Sequence, residues 1–448
     1  MGHEDPFQKA AGEFLTPCLD DAEIVDFVRA ERIMKIVERR TAKFLLALLA
    51  GLLSFCSVPA RAADPIKIGF SVQLTGPLAP SGKANLLAQQ IWMEDTNAKG
   101  GLLGRPVQLI FYDDQTNPAT VPGIYAKLLD IDKVDLLMGA ASNVVAAAMP
   151  TIIARKKLVM ALLALGVNDT FQYPRYFQSA PWGSDASSAM SRGYFEVAKR
   201  MTPPPKSIAL IGIDADAAAN VLEGARTHAK LGGLRLVYDH TYPPNTAEFG
   251  PVVRSVAAAK PDLVFVASYP IDSVGMIRAA RESNLKVMVF GGAMVGLQYA
   301  SIRAQLGENL NGIVNYELWA PGAKMKFPGM EEFLKRYQER ARAEGADPLG
   351  FYQPPFAYAA MQVLEQAIKA TATIDDARLA DHIHKNTFKT VVGDMAFDAR
   401  GEWAQSRVLT VQFQNIKGNG LEQYMREGTE TVLYPPEYKD GELRPFMQ

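Results

Sequence analysis

Cysteine is almost missing. The chain has two, Cys18 and Cys56, both upstream of residue 62. The body of the chain therefore has no disulfide and no thiol chemistry, and it is long enough to hold a core without staples. Histidine is also scarce: beyond residue 62 only His228, His240, His382 and His384 occur. The pair in "DHIHK" has i,i+2 spacing inside a helical pattern, so the two rings point apart and read as solvated helix side chains. H-E-x-x-H, G-x-S-x-G and the P-loop are absent, which removes the usual metalloprotease, hydrolase and nucleotide-hydrolysing readings. Neither sign of charge dominates, with 47 Lys and Arg against 48 Asp and Glu. That balance gives no reason to expect nucleic acid or a charged membrane surface as partner. The longest apolar run, 44–58, is shorter than the about 20 residues of a membrane-crossing helix.

That run has a different meaning. Lys35, Arg39, Arg40 and Lys43 precede it, and Ala60-Arg61-Ala62 follows Pro59. Basic, apolar and small-residue segments in that order form a secretory signal peptide, with the cut expected after Ala62 and a periplasmic destination. Met34 reads as the natural start, so 1–33 reads as an upstream extension and 34–62 as the signal. What remains exceeds the roughly 250–300 residues at which a single core stops growing, so two lobes are expected.

From Ile66 onward, short β-branched runs alternate with amphipathic stretches. Strands are predicted at 66–72, 107–112, 135–138 and 158–163, with helices at 83–98, 118–129 and 143–154. A second series places strands at 207–212, 234–240, 263–267 and 286–290, and helices at 185–200, 217–230, 248–259 and 272–283. The expected class is α/β: two Rossmann-like lobes, each a mainly parallel sheet flanked by helices, joined by a multi-strand hinge. After Asn311 the pattern loosens into helices at 330–344, 354–370 and 375–386 and a strand at 407–414. The late helices suggest a return to the first lobe. The expected division is 63–183 and 315–405 in lobe one, and 184–314 and 406–448 in lobe two.

Glycine clusters mark the loops that face a crevice. "KGGLLGRP" (99–106) closes a helix instead of opening one, which suits a C-cap and turn. "GGAMVG" (291–296) follows a strand but has Ala293 where a dinucleotide fingerprint needs its second glycine, so no cofactor is expected. As a loop at a strand's carboxyl end, it and its Met294 face the place where open α/β sheets bind ligands. "GAASNVV" (139–145) lets the backbone approach closely at Ala141. Ser142 or Asn143 then opens a helix, as a cap, as a ligand contact, or as both. "LLALGVND" (162–169) leaves backbone groups open around Ala164 and Gly166.

The segments "IKIGFSVQLTGPLAPSG", "WMEDTNAKGGLLGRPVQLIFYDDQTNP" and "GAASNVVAAAMP" resemble, in order and spacing, the periplasmic Leu/Ile/Val-binding protein family. These are solute receptors of ABC importers, in which two lobes close over the ligand without transforming it. The resemblance implies a small-molecule ligand, an inner-membrane ABC permease as partner, a monomer, and no enzyme activity. The family's carboxylate-binding serine falls on Asn143, beside Ser142. Its next loop, a backbone carbonyl and a threonine hydroxyl, falls on Ala164 and Gly166, so the hydroxyl is missing. Its second-lobe tyrosine matches Tyr269, its covering aromatic falls on Ser81, and another second-lobe aromatic falls near Ala217. Its acidic partner for the α-ammonium falls on Ala293.

Without that acid, closure over an ammonium strands a charge in a dry cleft. The expected ligand is therefore a carboxylate or amide without an α-amino group, such as an aromatic or aliphatic acid. The rivals are an ordinary branched-chain amino acid receptor and an exported α/β enzyme. Trp182 and Trp319 lie near the two lobe crossings, and Tyr352 and Gln353 precede a helix. Trp182 is the one of these added to the candidate site, with hinge packing as its other role.

Overall fold

The computed structural model describes residues 64–446 together with 29, 32–37, 40 and 41. The predicted cut after Ala62 lies outside these. Every strand among the described residues belongs to the unit that starts at Asp64.

The first sheet has five parallel strands: β1 (Ile66–Val72), β2 (Val107–Asp113), β3 (Leu136–Ala141), β4 (Val159–Leu163) and β5 (Tyr176–Gln178), in the order β2-β1-β3-β4-β5. Its helices are α1 (Ala79–Ala98), α2 (Val121–Asp130), α3 (Ser142–Ala154) and α4 (Val167–Phe171). Inner strands such as β1 are near-continuous apolar runs because helices cover both faces. α1 has Pro80 in its first turn, where the missing N–H costs nothing. It ends at Ala98 before Gly100 and Gly101, both at positive φ. A Cβ on Gly101 would lie 1.9 Å from the Arg105 carbonyl oxygen, so the turn admits only glycine there.

The second lobe repeats the plan. Its short helices α5 (Ala186–Ala189) and α6 (Arg192–Ala198) precede β6 (Ser207–Ile213). There follow α7 (Asp216–Leu231), β7 (Arg235–Tyr242), α8 (Gly250–Ala259), β8 (Leu263–Ser268), α9 (Pro270–Glu282), β9 (Val289–Met294), α10 (Ala300–Leu306) and β10 (Ile313–Glu317). The parallel order β7-β6-β8-β9-β10 matches that of the first sheet, and antiparallel β13 (Leu409–Phe413) and β14 (Glu430–Tyr434) extend it beyond β10. In both sheets the connections reverse direction beside the first strand, at β1/β3 and at β6/β8. That reversal opens a crevice at the carboxyl ends.

Between β10 and β13 the chain returns to the first sheet's helices as α11 (Met330–Ala341), α12 (Pro354–Thr371) and α13 (Asp376–Lys385), with the small hairpin β11 (Phe388–Thr390) and β12 (Gly393–Met395). The returning helices are tied to α1: the Trp92 indole donates to Glu365 at 2.9 Å, the Tyr358 hydroxyl donates to Asp95 at 2.9 Å, and Arg336 pairs with Glu94 and Asp95. Three segments therefore cross between the sheets, near 179–185, 318–329 and 396–408. The first and third run side by side, with Arg407 N–H donating to the Pro181 carbonyl at 3.0 Å and the Trp403 indole donating to the Ser179 carbonyl at 2.8 Å.

Several expectations need correction. The predicted helix at 185–200 is split into α5 and α6, with Gly193 packed where a Cβ would meet the Thr410 hydroxyl at 1.9 Å. The predicted strand at 286–290 lies at 289–294, so "GGAM" is strand and not loop. His384 is half-buried and held in place, not a free surface side chain. Its Nε2 sits 2.9 Å from the Pro174 carbonyl, its Nδ1 3.1 Å from the Asp398 carbonyl, and its ring against Phe177.

The third crossing also buries Glu402, which is 4 % exposed. Burial, with Asp398 and Asp169 adding repulsion, pushes its carboxyl up to about 8, although Gln178 and Arg400 favour the ionised form. The stability this neutral acid contributes is complete below its ordinary value of 4.5 and is lost as pH rises through about 8. Over that window the unfolded chain releases a proton that the native state keeps, a slope of at most about 1.4 kcal/mol per pH unit. Glu402→Gln is expected to flatten the stability profile between pH 5 and 8. Urea unfolding at several pH values checks it, and a slope identical to that of the parent refutes it.

Candidate functional site

On the first lobe's rim, β3 ends at Ala141, whose extended backbone (φ −77°, ψ 159°) leads into α3 at Ser142. Gly139 is required just behind, since a Cβ there would lie 2.8 Å from a Val145 methyl. The first N–H groups of α3 thus sit at the crevice with the helix's positive end. The side chains of Ser142 and Asn143 are outside the described set. In the next loop Ala164 is buried, and Gly166 caps α4 at φ 65°, a left-handed conformation that suits glycine. From behind, the Tyr176 hydroxyl approaches the Ala164 carbonyl at 3.5 Å.

The second lobe's rim is built alike. Tyr269 follows β8 in extended conformation and precedes α9, with 37 % of its surface exposed. Its N–H points at the Asp272 carboxylate, 3.4 Å away, and the Tyr242 hydroxyl approaches that carboxylate at the same distance. Burial raises the Asp272 carboxyl above its usual range, against these hydrogen bonds. Ala293 and Met294, 3 % and 0 % exposed, belong to the last two ladder pairs of β9, opposite Ala267 and Ser268. Asn315, fully buried in β10, grips Met294 on both sides: its side-chain carbonyl accepts from the Met294 N–H at 2.9 Å, and its amide donates to the Met294 carbonyl at 3.2 Å. The expected site loop is therefore a clamped strand end.

Ser81 lies in the first turn of α1 and not in a loop, and only 8 % of it is exposed. Its Oγ is 2.7 Å from the hydroxyl of Tyr299, which immediately precedes α10 in the other lobe. An aromatic ring does reach this place, but from the second lobe. Around it the Tyr316 and Tyr352 hydroxyls lie 2.9 Å apart, Asn85 donates to Gln353 at 2.7 Å, and Ala300 N–H donates to Asp347 at 2.7 Å. Alongside these contacts a cavity of about 270 Å³ is lined by Pro77, Pro80, Pro270, Tyr299 and Ile302. Tyr299→Phe is expected to remove one neutral interlobe hydrogen bond, about 1 kcal/mol, and so weaken ligand binding about fivefold. Ser81→Ala is expected to do the same, and the double variant no more than either alone. Calorimetric titration checks this, and additive losses refute the bond.

The structure thus brings Ala141, Ala164 and Gly166 to adjacent strand ends in one lobe, and Tyr269, Ala293 and Met294 to the corresponding ends in the other. Trp182 sits in the first crossing, 1 % exposed, and its indole N–H meets no acceptor among the described residues. Trp319 is also hinge packing: its indole donates to the Met325 carbonyl at 3.0 Å. Tyr299 and Asn315 were not legible as site residues. Among the described residues no group of three or more His, Cys, Asp or Glu is placed to hold a metal. No helix among them is long and apolar enough to cross a membrane.

Comparison with known proteins agrees with this architecture. A family model described as "Periplasmic binding protein" matches residues 65–419. The Leu/Ile/Val-binding protein homolog 7 of Brucella abortus (strain 2308) is 25 % identical over 389 residues, covering 84 % of this chain and 95 % of its own. An ABC transporter substrate-binding protein from Sphaerobacter thermophilus superposes with a TM-score of 0.70 at 20 % identity, over 84 % of this chain and 99 % of its own. A solute binding protein of R. palustris in complex with benzoate gives 0.65 at 19 %, over 83 % and 96 %. A branched-chain amino acid transporter substrate binding protein of Streptococcus pneumoniae in complex with isoleucine gives 0.65 at 19 %, over 83 % and 100 %. At these identities the structures establish the fold, and the family match establishes membership. The chain belongs to the periplasmic binding proteins, the solute-binding and non-enzymatic receptors of ABC transporters.

Proposed function

We propose that this protein is the receptor of an ABC importer that closes on a small carboxylate or amide lacking an α-amino group, with benzoate-type aromatic acids as the first class to test. The observation that carries the reading is the second-lobe strand end. Ala293 stands there, and the nearby acid, Asp272, is buried with its carboxylate engaged by the Tyr269 N–H and Tyr242. An α-ammonium closed against this wall has no counter-charge, at a cost of several kcal/mol. On the other wall, the N–H groups opening α3 at Ser142 and Asn143 and the backbone around Ala164 and Gly166 suit an anionic or polar group. Tyr269 and Ser81 border the body of the ligand, while Met294 and Trp182, 0 % and 1 % exposed, pack behind that surface.

The work is capture without chemistry. Ligand binds one lobe, the other adds contacts, and the closed state is the one a separate inner-membrane permease recognises, which is population shift by differential affinity. The receptor acts as a periplasmic monomer after cleavage behind Ala62. Calorimetric titration of the chain from Ala63 with benzoate, 4-hydroxybenzoate, leucine and isoleucine tests the reading. Tight binding of an aromatic acid supports it. Tight leucine binding restores the branched-chain amino acid reading, which the Brucella relative's name favours.

A further inference from the structure

Asparagine followed by glycine occurs twice, at Asn311-Gly312 and Asn419-Gly420. Such a pair can change covalently without an enzyme, because glycine has no Cβ to keep its backbone nitrogen away from the asparagine side chain. The fold treats the two pairs differently. Asn311 is half-buried, and Ile416 engages both ends of its carboxamide. The Ile416 N–H donates to the oxygen at 2.8 Å, and the nitrogen donates to the Ile416 carbonyl at 2.9 Å. The Gly312 N–H donates to the Phe413 carbonyl at 2.7 Å, and Arg281 donates to the Asn311 carbonyl. Electrophile and nucleophile are both held. Asn419, in contrast, is exposed, in the turn between β13 and β14. Its carboxamide lies over Gly307 and makes no hydrogen bond among the described residues, and the Gly420 N–H meets no acceptor among them either. Gly418, at φ 59°, has open space where a Cβ would lie. The turn is pinned on either side of the reactive pair instead, by the Gly418 N–H donating to Glu308 at 2.9 Å and by Gln423 donating to the Gly420 carbonyl at 2.7 Å.

We propose that Asn419 is a site of spontaneous deamidation, and that the fold shields Asn311 from the same reaction. Hydroxide takes the Gly420 amide proton, and the nitrogen attacks Cγ of Asn419. A bond from that nitrogen to Cγ closes a cyclic imide while the bond from Cγ to Nδ2 breaks. The departing nitrogen takes a proton from water, which restores the hydroxide, and leaves as ammonia. Water then opens the ring at either carbonyl, leaving aspartate or isoaspartate at position 419. Nothing is oxidised or reduced. The product adds a carboxylate close to Glu308 and to Glu422, whose Oε2 lies 3.2 Å from where a Gly420 Cβ would stand. Repulsion among these acids works against the Glu308 contact with Gly418. Gly307 and Glu308 follow directly on α10, the helix that begins beside Tyr299. The change therefore loosens the far end of the element that presents the interlobe contact to Ser81.

The test incubates the chain from Ala63 in warm, mildly alkaline buffer, both native and unfolded in guanidinium chloride. Two tryptic peptides are followed by mass spectrometry, with fragmentation locating the changed residue. The 418–426 peptide holds Asn419, and the 304–324 peptide holds Asn311. Unfolded, both should convert at similar rates. In the native protein, Asn419 should convert nearly as fast as in the unfolded chain, whereas Asn311 should stay intact. Gly420→Ala should slow the native conversion severalfold, since the backbone there (φ −68°, ψ 134°) suits alanine and only the nitrogen's approach is hindered. Asn419→Asp should melt below the parent at low salt, with the difference shrinking at high salt as the repulsion is screened. The proposal is overturned if native Asn419 is as protected as Asn311, or if native Asn311 converts as fast as it does unfolded. An Asn419→Asp variant that melts with the parent at every salt concentration overturns the loosening of α10. None of these outcomes depends on which solute the cleft takes.

Discussion

Replacing Arg303 with methionine is expected to destabilise the protein by about 3–5 kcal/mol near pH 8, measured by urea unfolding. Arg303 is 1 % exposed and donates to Glu317 at 2.7 Å, to Glu430 at 2.5 Å and to the Leu297 carbonyl at 2.6 Å. Both carboxylates are fully enclosed, and the second oxygen of each meets no donor among the described residues. One guanidinium thus faces two acids. Burial raises both carboxyls, most strongly Glu317, against the pull of Arg303. Without the arginine, both acids stay protonated in the native state while the unfolded chain releases its protons near the ordinary value. The loss should therefore be smaller at pH 5 and grow as pH rises. Glu317→Gln should cost under about 1 kcal/mol, because an amide mimics the protonated acid. An equal loss for Arg303→Met at pH 5 and 8 would show that the cluster does not hold its proton. The cluster also matters to the cleft. Arg303 belongs to α10, which begins next to Tyr299, so the triad fixes the helix that presents the interlobe contact to Ser81.

What the sequence reveals of this fold depends on how local each cause is. β1 at Ile66–Val72 and β6 at Ser207–Ile213 are legible because burial on both faces makes them almost wholly apolar. β10, "IVNYE", is equally buried but carries Asn315 and Glu317, whose partners are the Met294 backbone and Arg303. Polar residues satisfied by distant partners erase the pattern, and the segment reads as loose. Gly291-Gly292 reads as a loop for a related reason, since glycine signals a turn unless a crowded neighbour demands it. In the cleft, the crevice-facing loops after β3, β4 and β8 follow from strand ends and small residues. The Tyr299 contact with Ser81 spans 218 positions, and no local spacing announces it.

That crowding makes Gly291→Ala the severest single-residue test of the second lobe. Gly291 pairs with Phe265 on one side and Val314 on the other, in the interior of the sheet. Its φ is 144°, outside the range that L side chains favour, and a Cβ would stand 1.8 Å from the Val314 carbonyl oxygen. Nothing flexible is available to move, because the obstacle is the backbone of β10 itself. The substitution is expected to cost at least about 3 kcal/mol, from strain plus displaced ladder bonds. Gly233→Ala is the matched control. Its φ of 66° is also positive but open space surrounds it, so it carries only the conformational penalty of about 1 kcal/mol. Pushing β10 away also pulls Asn315 from Met294, three positions along the strand, so surviving Gly291→Ala protein should bind solute at least tenfold more weakly while Gly233→Ala binds normally. Equal stability losses in the two variants would mean that β10 yields freely, and that the strand end at Ala293 and Met294 is not held by its neighbour.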